Sequence, residues 1–405
     1  MSKVIIVGGG AAGMMAAITA ARNGNSVLLL EKNEKLGKKI YITGKGRCNI
    51  TNCCSNEEYF LNVPTNPRFL YSSISSFTPY DTMQFFEEHG LKLKIERGNR
   101  VFPESDKSSD IIKVLQNYCL QNGVTIKLNE EVIDCYKNSQ TSKFVVVTSK
   151  NKYECDKLII CTGGKSYSAT GSNGFGYKLA KRFGHTIIEP VPALCPIKLK
   201  DKWVKNIEGL SLKNVKLSAY SNNKLVKSEF GEMLFTSNGI SGPIVLTLSS
   251  YINRLTNINL VLDFKPALTY ETLENRLLRE FENNKNSQIN TVIRSLLPKN
   301  LVSIFLNYIN LSENTKVNSI TVEQRHSIIN GLKEFKLNFD GLYDIEYAII
   351  TSGGVSTKEI NPKTMESKLV DNLYFAGEII DVDALTGGFN LQIALSTANN
   401  IVKGV

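Results

Sequence analysis

The hydrophobic pattern at the start of the chain predicts a strand, a turn, a helix and a second strand. Val4 to Val7 is wholly apolar, which is typical of a strand in a parallel sheet that is buried on both faces. Residues 11–23 after the glycine-rich turn are small and mostly apolar, so we expect a helix that packs closely on the sheet. Ser26 to Glu31 then predicts the second strand, and together these elements form a βαβ unit.

The turn of this unit, Gly8 to Gly13, has the sequence GGGAAG and fits the G-x-G-x-x-G pattern of dinucleotide-binding proteins. In that pattern Gly8 permits the tight turn, Gly10 lets the backbone approach a pyrophosphate, and Gly13 lets the helix pack on the sheet. The helix N-terminus offers N–H groups and a partial positive charge to the phosphates, and Glu31 can accept hydrogen bonds from a ribose. A Rossmann-type site for the ADP half of a dinucleotide is therefore predicted, lined by Gly8, Gly10, Ala11, Ala12, Gly13, Glu31 and Lys32.

The period of the pattern changes several times along the rest of the chain. Residues 67–123 have helical spacing, whereas Phe144–Thr148 and Leu158–Thr162 are strand-like apolar runs. Alternation typical of antiparallel strands follows over residues 193–265, and helical spacing returns over residues 270–335. We therefore predict an α/β fold with a first part of the Rossmann-type domain at 1–190, an inserted β-rich domain at 191–268, a helical subdomain of the insert at 269–338, and the second part of the Rossmann-type domain at 339–405.

Two later segments indicate that the dinucleotide is FAD. Leu158 to Thr162 runs into two glycines and resembles the strand and Thr-Gly element of flavoproteins with two dinucleotide-binding domains. Leu373 to Glu378 resembles the late strand of those proteins, which ends in Gly-Asp and holds the ribityl chain and the pyrophosphate. Glu378 replaces that Asp and Asp381 follows closely, so both carboxylates are candidates for the ribityl hydroxyls. The resemblance implies cofactor contacts at Val132, Thr162, Gly163, Gly164, Gly377, Glu378, Asp381, Gly388, Phe389, Asn390 and Leu391.

Several further motifs make the resemblance closer than a shared fold. They include GKGRCNITN at Gly44 to Asn52, GGKSY at Gly163 to Tyr167, GISGP at Gly239 to Pro243, and NPKTMES at Asn361 to Ser367. In these motifs the chain resembles a bacterial flavoprotein family often labelled NAD(FAD)-utilising dehydrogenase, which includes an aminoacetone oxidase and a flavin-dependent bile-acid enone reductase. The resemblance implies FAD at the positions above and an insert that caps the flavin.

The loop after the second predicted strand adds cationic side chains. Lys38, Lys39 and Arg47 place donors where a pyrophosphate and a flavin carbonyl would lie, although the same residues also fit a solvated basic loop. The cofactor residues predicted in this loop are Lys38, Lys39, Gly46, Arg47, Cys48 and Asn49.

Two cysteines in this loop leave a second reaction open. Cys48 and Cys53 have C-x4-C spacing, roughly where flavin disulfide reductases carry their redox pair. Those enzymes also have a second G-x-G-x-x-G, which Gly171 to Gly176 does not fit, and a histidine near the C-terminus, which this chain lacks. We therefore favour a packed cysteine or a plain thiol near the flavin.

Composition narrows the class of partner. The 405 residues carry a formal net charge of +10 with a pI near 9.0, but the lysines are scattered and no dense basic run with interleaved aromatics stands out. We therefore expect a small-molecule substrate and no nucleic-acid partner, and no metal site. No segment is long and apolar enough to span a bilayer, and the glycine turn argues against a signal peptide, so a cytoplasmic location is expected.

The predicted function is that of an FAD-dependent oxidoreductase. Hydride would move between flavin N5 and a small or steroid-like molecule, most simply an activated C=C reduced at the expense of a transiently bound NAD(P)H. Candidate proton donors are Tyr167, Thr236 and Ser241, and Ser237 follows Thr236 where many relatives carry His, so a role for that His does not carry over. Alternatives are an oxygen-using aminoacetone-type oxidase, a flavin disulfide reductase, and a non-enzymatic flavin sensor or RNA-associated flavoprotein.

Overall fold

The computed structural model describes residues 1–401, which contain twenty strands and thirteen α-helices. The strands are β1 (Lys3–Val7), β2 (Ser26–Leu30), β3 (Thr51–Asn52), β4 (Leu93–Glu96), β5 (Arg100–Pro103), β6 (Thr125–Lys127), β7 (Val132–Lys137), β8 (Phe144–Thr148), β9 (Lys152–Cys155), β10 (Lys157–Ile160), β11 (Ile187–Ala193), β12 (Ile197–Leu199), β13 (Ser211–Ser221), β14 (Lys224–Thr236), β15 (Gly239–Ser241), β16 (Ile258–Asp263), β17 (Phe335–Leu337), β18 (Phe339–Leu342), β19 (Ile350–Val355) and β20 (Leu373–Phe375). The helices are α1 (Ala11–Arg22), α2 (Lys38–Ile42), α3 (Asn56–Leu61), α4 (Tyr71–Ser76), α5 (Pro79–Glu88), α6 (Ser108–Gln121), α7 (Phe175–Arg182), α8 (Pro243–Ile252), α9 (Tyr270–Asn283), α10 (Ile289–Leu296), α11 (Lys299–Tyr308), α12 (Val322–Lys333) and α13 (Phe389–Asn400).

The chain divides into two units. The first comprises Met1–Ala193 and Asp344–Val405, and the second is Leu194–Tyr343. A single segment of the chain is thus inserted into a unit built from both ends of the sequence. The finer predicted boundary within the insert, at residues 268 and 269, stays a prediction.

The first unit is built on a five-stranded sheet in the order β20-β10-β1-β2-β6, and every neighbouring pair is parallel. Its strands are short and apolar because both faces are covered, and Val4 to Val7 of β1 are buried, as the sequence pattern predicted. Helix α1 packs on β1, β2 and β10, while α6 and α13 pack on α1. Parallel strands end at the same edge, so the carboxyl ends of β1, β2, β10 and β20 meet there.

The second unit is built on a seven-stranded sheet in the order β17-β16-β13-β14-β15-β12-β18, whose pairs are antiparallel. On one face Leu217 of β13 lies opposite Leu262 of β16, which lies opposite Phe335 of β17, and all three side chains are buried. Helices α8 to α12 contribute to the same hydrophobic core. The predicted combination of an α/β domain with a β-rich and helical insert is confirmed.

One element of the insert was wrong in the sequence interpretation. Residues 193–265 were expected to alternate as strands, yet Pro243–Ile252 is helix α8. The segment is almost wholly apolar and therefore carries no clear period of two or 3.6. Pro243 at the first helical position, after Gly242 with a φ of 102°, is the local signal for a helix start.

Candidate functional site

The predicted cofactor residues of the first unit converge on the carboxyl edge of its parallel sheet. Gly8 follows β1, Glu31 follows β2, Thr162 follows β10 and Gly377 follows β20. A β-carbon at Gly377 would lie 2.8 Å from that of Ala12, which places the late strand against the first turn of α1. Ligands of open α/β sheets bind at this edge, so four segments from both ends of the sequence form one site.

The glycines of the first turn have different physical roles. Gly8 has a φ of 104°, and a β-carbon there would lie 2.6 Å from the backbone oxygen of Cys161. A β-carbon at Gly13 would lie 1.8 Å from the backbone oxygen of Gly8, so α1 can approach the sheet only with glycine at this position. At Gly10, by contrast, no heavy atom lies within 4 Å of the position of a β-carbon.

The space above Gly10 fits the pyrophosphate of FAD. Gly10 is the N-cap of α1, and this helix has no side-chain cap and no acidic residue in its first turn. The first N–H groups of a helix without a cap, together with its dipole, form an anion site. The described residues therefore offer both the room and the donors that a diphosphate needs.

Glu31 lies beside this turn and is held by three backbone and side-chain donors. Its Oε2 accepts a hydrogen bond from the Gly9 N–H at 2.7 Å, and its Oε1 accepts from the N–H and the Nδ2 of Asn33 at 2.8 and 2.7 Å. A carboxylate oxygen can accept about two bonds, so Oε2 retains acceptor capacity for a ribose hydroxyl. Nearby, Asn33 Nδ2 also donates to the Thr170 carbonyl, and a β-carbon at Gly171 would lie 3.2 Å from Lys32 Cε.

Glu378 and Lys39 form an ion pair that also fixes the loop after β10. Lys39 Nζ lies 2.6 Å from Glu378 Oε2 and donates to Ser166 Oγ at 2.8 Å. Glu378 Oε1 accepts from the Thr351 N–H at 2.9 Å and from Ser166 Oγ at 3.2 Å. The Lys39 charge is therefore compensated by a carboxylate of the chain itself, which its prediction as a phosphate donor did not include.

Asp381 is the second carboxylate that the sequence proposed for the ribityl chain. Its Oδ2 accepts a hydrogen bond from Asn66 Nδ2 at 2.9 Å, and the same amide donates to the Asp381 carbonyl at 2.7 Å. Both Glu378 and Asp381 are thus held in place by donors of the protein, and the choice between them stays open.

Two predicted cofactor residues have buried side-chain oxygens without a hydrogen-bond partner among the described residues. These oxygens are Thr162 Oγ1 and Asn49 Oδ1. A buried polar atom without a partner costs free energy, about 1–3 kcal/mol, unless a ligand or water satisfies it. These two atoms, one on each of two loops, are consistent with a polar cofactor.

Two other predicted cofactor cations of the basic loop, Lys38 and Arg47, are also paired. Lys38 Nζ lies 2.8 Å from Glu34 Oε2. Arg47 forms an ion pair with Glu96, donates through Nε to Asp106 Oδ1 at 2.7 Å, and stacks 4.3 Å from the Phe102 ring centroid. A role for Arg47 toward a flavin carbonyl stays a prediction, and its partners were missed because they lie about fifty residues later without a local signal.

The start of α13 is shaped by residues that sequence reasoning missed. Gly388 has a φ of 98°, and a β-carbon there would lie 2.4 Å from the Thr51 carbonyl oxygen. Asn390 was predicted as a cofactor residue, but its amide is bonded to the backbone of Ala384 and Leu385. Its side chain therefore shapes the turn before the helix. Of the other predicted residues, Phe389 is buried, Leu391 is half-buried, and Val132 is buried at the start of β7.

The three candidate proton donors are not brought together within one unit. Tyr167 belongs to the first unit, is 36% exposed and lies with its ring centroid 5.9 Å from Lys39 Nζ. Thr236 and Ser241 belong to the second unit, in β14 and β15. Thr236 Oγ1 is buried without a hydrogen-bond partner among residues 1–401. Only Tyr167 thus shares a unit with the predicted cofactor residues.

The cysteine environments do not favour a disulfide mechanism. All eight cysteines are free, and Cys48 is completely buried. Burial raises the pKa of the Cys48 thiol to about 12, whereas a redox-active cysteine reacts as the thiolate. Cys48 is therefore a packed thiol in the predicted flavin loop. Its φ is 59°, and Gly44 and Gly46 of the same turn also have a positive φ.

Removal of the Lys39 charge should weaken FAD binding, because it leaves the Glu378 carboxylate uncompensated. In Lys39→Met the Glu378 carboxylate loses its cation beside the predicted pyrophosphate and flavin, so we expect FAD affinity to fall about fivefold, since a partly exposed ion pair is worth up to about 1 kcal/mol. Titration of apoprotein with FAD, followed by flavin fluorescence, measures this. The double variant Lys39→Met/Glu378→Gln should recover most of the affinity, and an unrecovered double variant would show that Lys39 contacts the cofactor directly.

Within residues 1–401 no helix is long and apolar enough to cross a membrane.

A parallel sheet with a glycine-rich turn, a buried carboxylate after its second strand and a late Gly-Glu strand end at one edge defines a Rossmann-type FAD-binding flavoprotein. The comparison with protein families agrees: the chain belongs to the HI0933-like family, whose model, described as HI0933-like protein Rossmann domain, matches residues 2–403. The expected bacterial flavoprotein family is thereby confirmed, and the chain is an FAD-dependent oxidoreductase.

Two relatives and one solved structure extend the comparison. The ribosomal RNA dihydrouridine synthase of Haemophilus influenzae is 31% identical over 382 residues, which cover 93% of this chain and 92% of that protein. The 3-dehydro-bile acid delta(4,6)-reductase of Clostridium scindens is 30% identical over 403 residues, which cover 98% of this chain and 97% of that protein. The 3-ketosteroid delta1-dehydrogenase of Sterolibacterium denitrificans superimposes with a TM-score of 0.52 at 12% identity, covering 99% of this chain and 98% of that one, which shows the fold alone.

Proposed function

We propose that this chain reduces a carbon–carbon double bond conjugated to a carbonyl, with NAD(P)H as the electron donor and a uridine in RNA as the substrate. The observation that carries the proposal is that two relatives, both similar over nearly the whole chain, are named for the same kind of reaction. Formation of dihydrouridine saturates the C5=C6 bond next to the C4 carbonyl of uracil. Reduction of a 3-oxo-4,6-diene saturates double bonds conjugated to the 3-oxo group.

The reaction balances as one hydride and one proton added across the double bond. FAD held at the sheet edge by the Gly8–Gly13 turn would carry the hydride from NAD(P)H to the substrate, and NAD(P)⁺ would leave. The hydride adds to the carbon β to the carbonyl and the proton to the α carbon. Among the chain's own residues, Tyr167 is the candidate proton donor that lies in the same unit as the predicted FAD residues.

One dinucleotide fold serves two cofactors in this proposal. The sequence has a single G-x-G-x-x-G that follows a strand and opens a helix, and the structure uses it at the end of β1. NAD(P)H would therefore occupy the flavin face transiently and leave before the substrate enters, which predicts ping-pong kinetics.

The choice of RNA over a small molecule rests on charge. A net charge of +10 attracts a polyanion strongly at low salt but gives little advantage to a neutral steroid. The sequence pattern led us to expect a small-molecule substrate without nucleic acid, and that expectation stays a competing prediction.

Anaerobic reduction and re-oxidation of the flavin test the proposal. NADPH or NADH should bleach the visible flavin absorption, and a uridine-rich RNA should restore it while its uridines gain the mass of two hydrogens. The matched control is the same RNA with cytidine in place of every uridine, and it should leave the flavin reduced. Failure of RNA to re-oxidise a flavin that NAD(P)H has bleached would overturn the proposed substrate.

A second candidate, a reductase of small enones, is favoured by the relative from Clostridium scindens, which aligns with 98% of this chain. In the same assay a 3-oxo-4,6-diene steroid should then re-oxidise the flavin and RNA should not. Rapid re-oxidation by oxygen after bleaching by an amine would favour the aminoacetone-type oxidase instead.

A further inference from the structure

The positive charge of the second unit is concentrated in one stretch of the chain. Residues 198–227 contain eight lysines and two acidic residues, whereas the rest of Leu194–Tyr343 contains eleven basic and eleven acidic residues. The surplus of six positive charges in this unit therefore comes entirely from these thirty residues. A surplus confined to one segment points to a local surface and not to a general compositional bias.

Most of these lysines have no structural partner. Lys227 lies 3.4 Å from Glu229 Oε1, and Lys198 lies 5.4 Å from the Tyr343 ring centroid. The other six are exposed, and within residues 1–401 no carboxylate lies within ion-pair distance of them: Lys200, Lys202, Lys205, Lys213, Lys216 and Lys224. Their charges are thus fully available to an external anion.

The hairpin of β13 and β14 presents two of these lysines on the same face as an exposed aromatic ring. Its register places Lys216 opposite Phe230, and Phe230 is 62% exposed. An irregularity in the register between Leu212 and Val215, whose side chains are buried, leaves Lys213 exposed between them. Lys224 is also exposed, but its position opposite Ser221 places it on the face of Leu217 and not on that of Phe230.

The opposite face of the hairpin is already covered. A β-carbon at Gly231 would lie 2.9 Å from Ile244 of α8, and Leu217 and Met233 are buried in the core of the unit. Phe230 and Lys216 therefore lie on the face of the sheet away from its helices. An exposed aromatic ring beside lysines is available to stack on a nucleic-acid base.

We propose that this hairpin face, defined by Lys213, Lys216 and Phe230, binds single-stranded RNA. The inference rests on the proposed RNA substrate. The lysines contact backbone phosphates, and Phe230 stacks on a base, which is the combination that single-stranded nucleic-acid sites use. The same face has no feature suited to a neutral steroid, which needs an apolar pocket.

The test compares two variants of the FAD-loaded full chain that lose the same charge. The face variant is Lys213→Gln/Lys216→Gln, and the control variant is Lys299→Gln/Lys316→Gln, whose lysines are exposed elsewhere in the second unit. The probe is a fluorescein-labelled, uridine-rich single-stranded RNA, and its anisotropy is measured at several salt concentrations. Flavin bleaching by NAD(P)H should be equal in both variants, because none of these residues belongs to the predicted cofactor site.

We expect the face variant to bind the RNA about tenfold more weakly and to lower the slope of log K against log salt by about 1.4, at roughly 0.7 per lost phosphate contact. The control variant should keep the affinity within about twofold. Phe230→Ala should weaken binding about fivefold with an unchanged slope, because stacking is not an ionic contact.

The possible failures are distinguishable. If the face and control variants weaken binding equally, net charge alone acts and the hairpin face is not the site, while the RNA substrate stands. If both bind like the unaltered protein, the surface is likewise refuted. If the unaltered protein binds no RNA although NAD(P)H bleaches its flavin, the proposed RNA substrate fails and this inference fails with it.

Discussion

Gly10→Val should produce a folded protein that no longer retains FAD. No protein atom lies within 4 Å of a β-carbon at this position, and the backbone there is extended, with a φ of −81° and a ψ of −167°. Valine therefore meets no clash within the chain and costs at most about 1 kcal/mol as an N-cap. Its side chain instead fills the space that the pyrophosphate must enter to reach the N–H groups of α1.

The expected loss of affinity is large because two or more hydrogen bonds to a charged group are removed together. At about 1.5 kcal/mol or more for each bond, FAD should bind at least about a hundredfold more weakly. The measurement is flavin content after gel filtration, with a titration of apoprotein to give the dissociation constant. Circular dichroism of the apoproteins checks that the fold is kept.

Gly13→Ala is the matched control, because the same turn predicts the opposite behaviour. A β-carbon at Gly13 would lie 1.8 Å from the Gly8 oxygen, so α1 must move away from the sheet. We expect a loss of about 3 kcal/mol or more of folding stability, with FAD binding impaired as a consequence. A stable Gly13→Ala protein, or a Gly10→Val protein that keeps FAD, would contradict the division of roles between these glycines.

The sequence was sufficient for the parts of the fold whose signals are local. The βαβ unit could be predicted because Val4–Val7, the GGGAAG turn and Glu31 lie within about thirty residues, and each segment indicates a single structural element. Helix α8 could not, because a mostly apolar run shows no clear period. Local signals thus located the six-residue dinucleotide turn better than they located a ten-residue helix.

The candidate site shows the same limit for side chains. The segments that meet at the sheet edge were predicted, since parallel strands bring their carboxyl ends together. The partners of their side chains were not predicted. Lys39 pairs with Glu378, 339 positions later, and Arg47 pairs with two carboxylates that lie 49 and 59 positions later. Charged side chains in a loop have many available partners, so only the tertiary structure decides which of them remain free for a ligand.

The two units differ in how they use charge. In the first unit Lys38, Lys39 and Arg47 of the predicted flavin loop are compensated by Glu34, Glu96, Asp106 and Glu378. In the second, six exposed lysines within residues 198–227 have no carboxylate partner in the part of the chain that the structure describes. Paired charges orient loops, whereas unpaired charges are left to act on a partner, and this contrast favours a polyanionic substrate over a neutral one.

Lys333→Met should destabilise the second unit by about 3–5 kcal/mol, because it leaves a buried carboxylate without its cation. Lys333 Nζ lies 2.7 Å from Asp263 Oδ2, and the two side chains are only 9% and 6% exposed. The same ammonium donates to the carbonyls of Lys265 and Leu268 at 3.0 and 2.7 Å, so it ties the end of β16 and the following turn to α12. Urea unfolding of the variant and the unaltered protein measures the loss.

A surface ion pair in the same unit tests whether burial or contact distance determines the loss of stability. Lys285 Nζ lies 2.6 Å from Glu282 Oε1, but these side chains are 59% and 70% exposed, so Lys285→Met should cost less than about 1 kcal/mol. The double variant Lys333→Met/Asp263→Asn should recover much of the loss, because asparagine removes the uncompensated charge and its carbonyl can still accept from the Lys265 N–H. Equal losses for Lys333→Met and Lys285→Met would show that water reaches the Asp263 carboxylate and that the pair contributes no more than a surface contact.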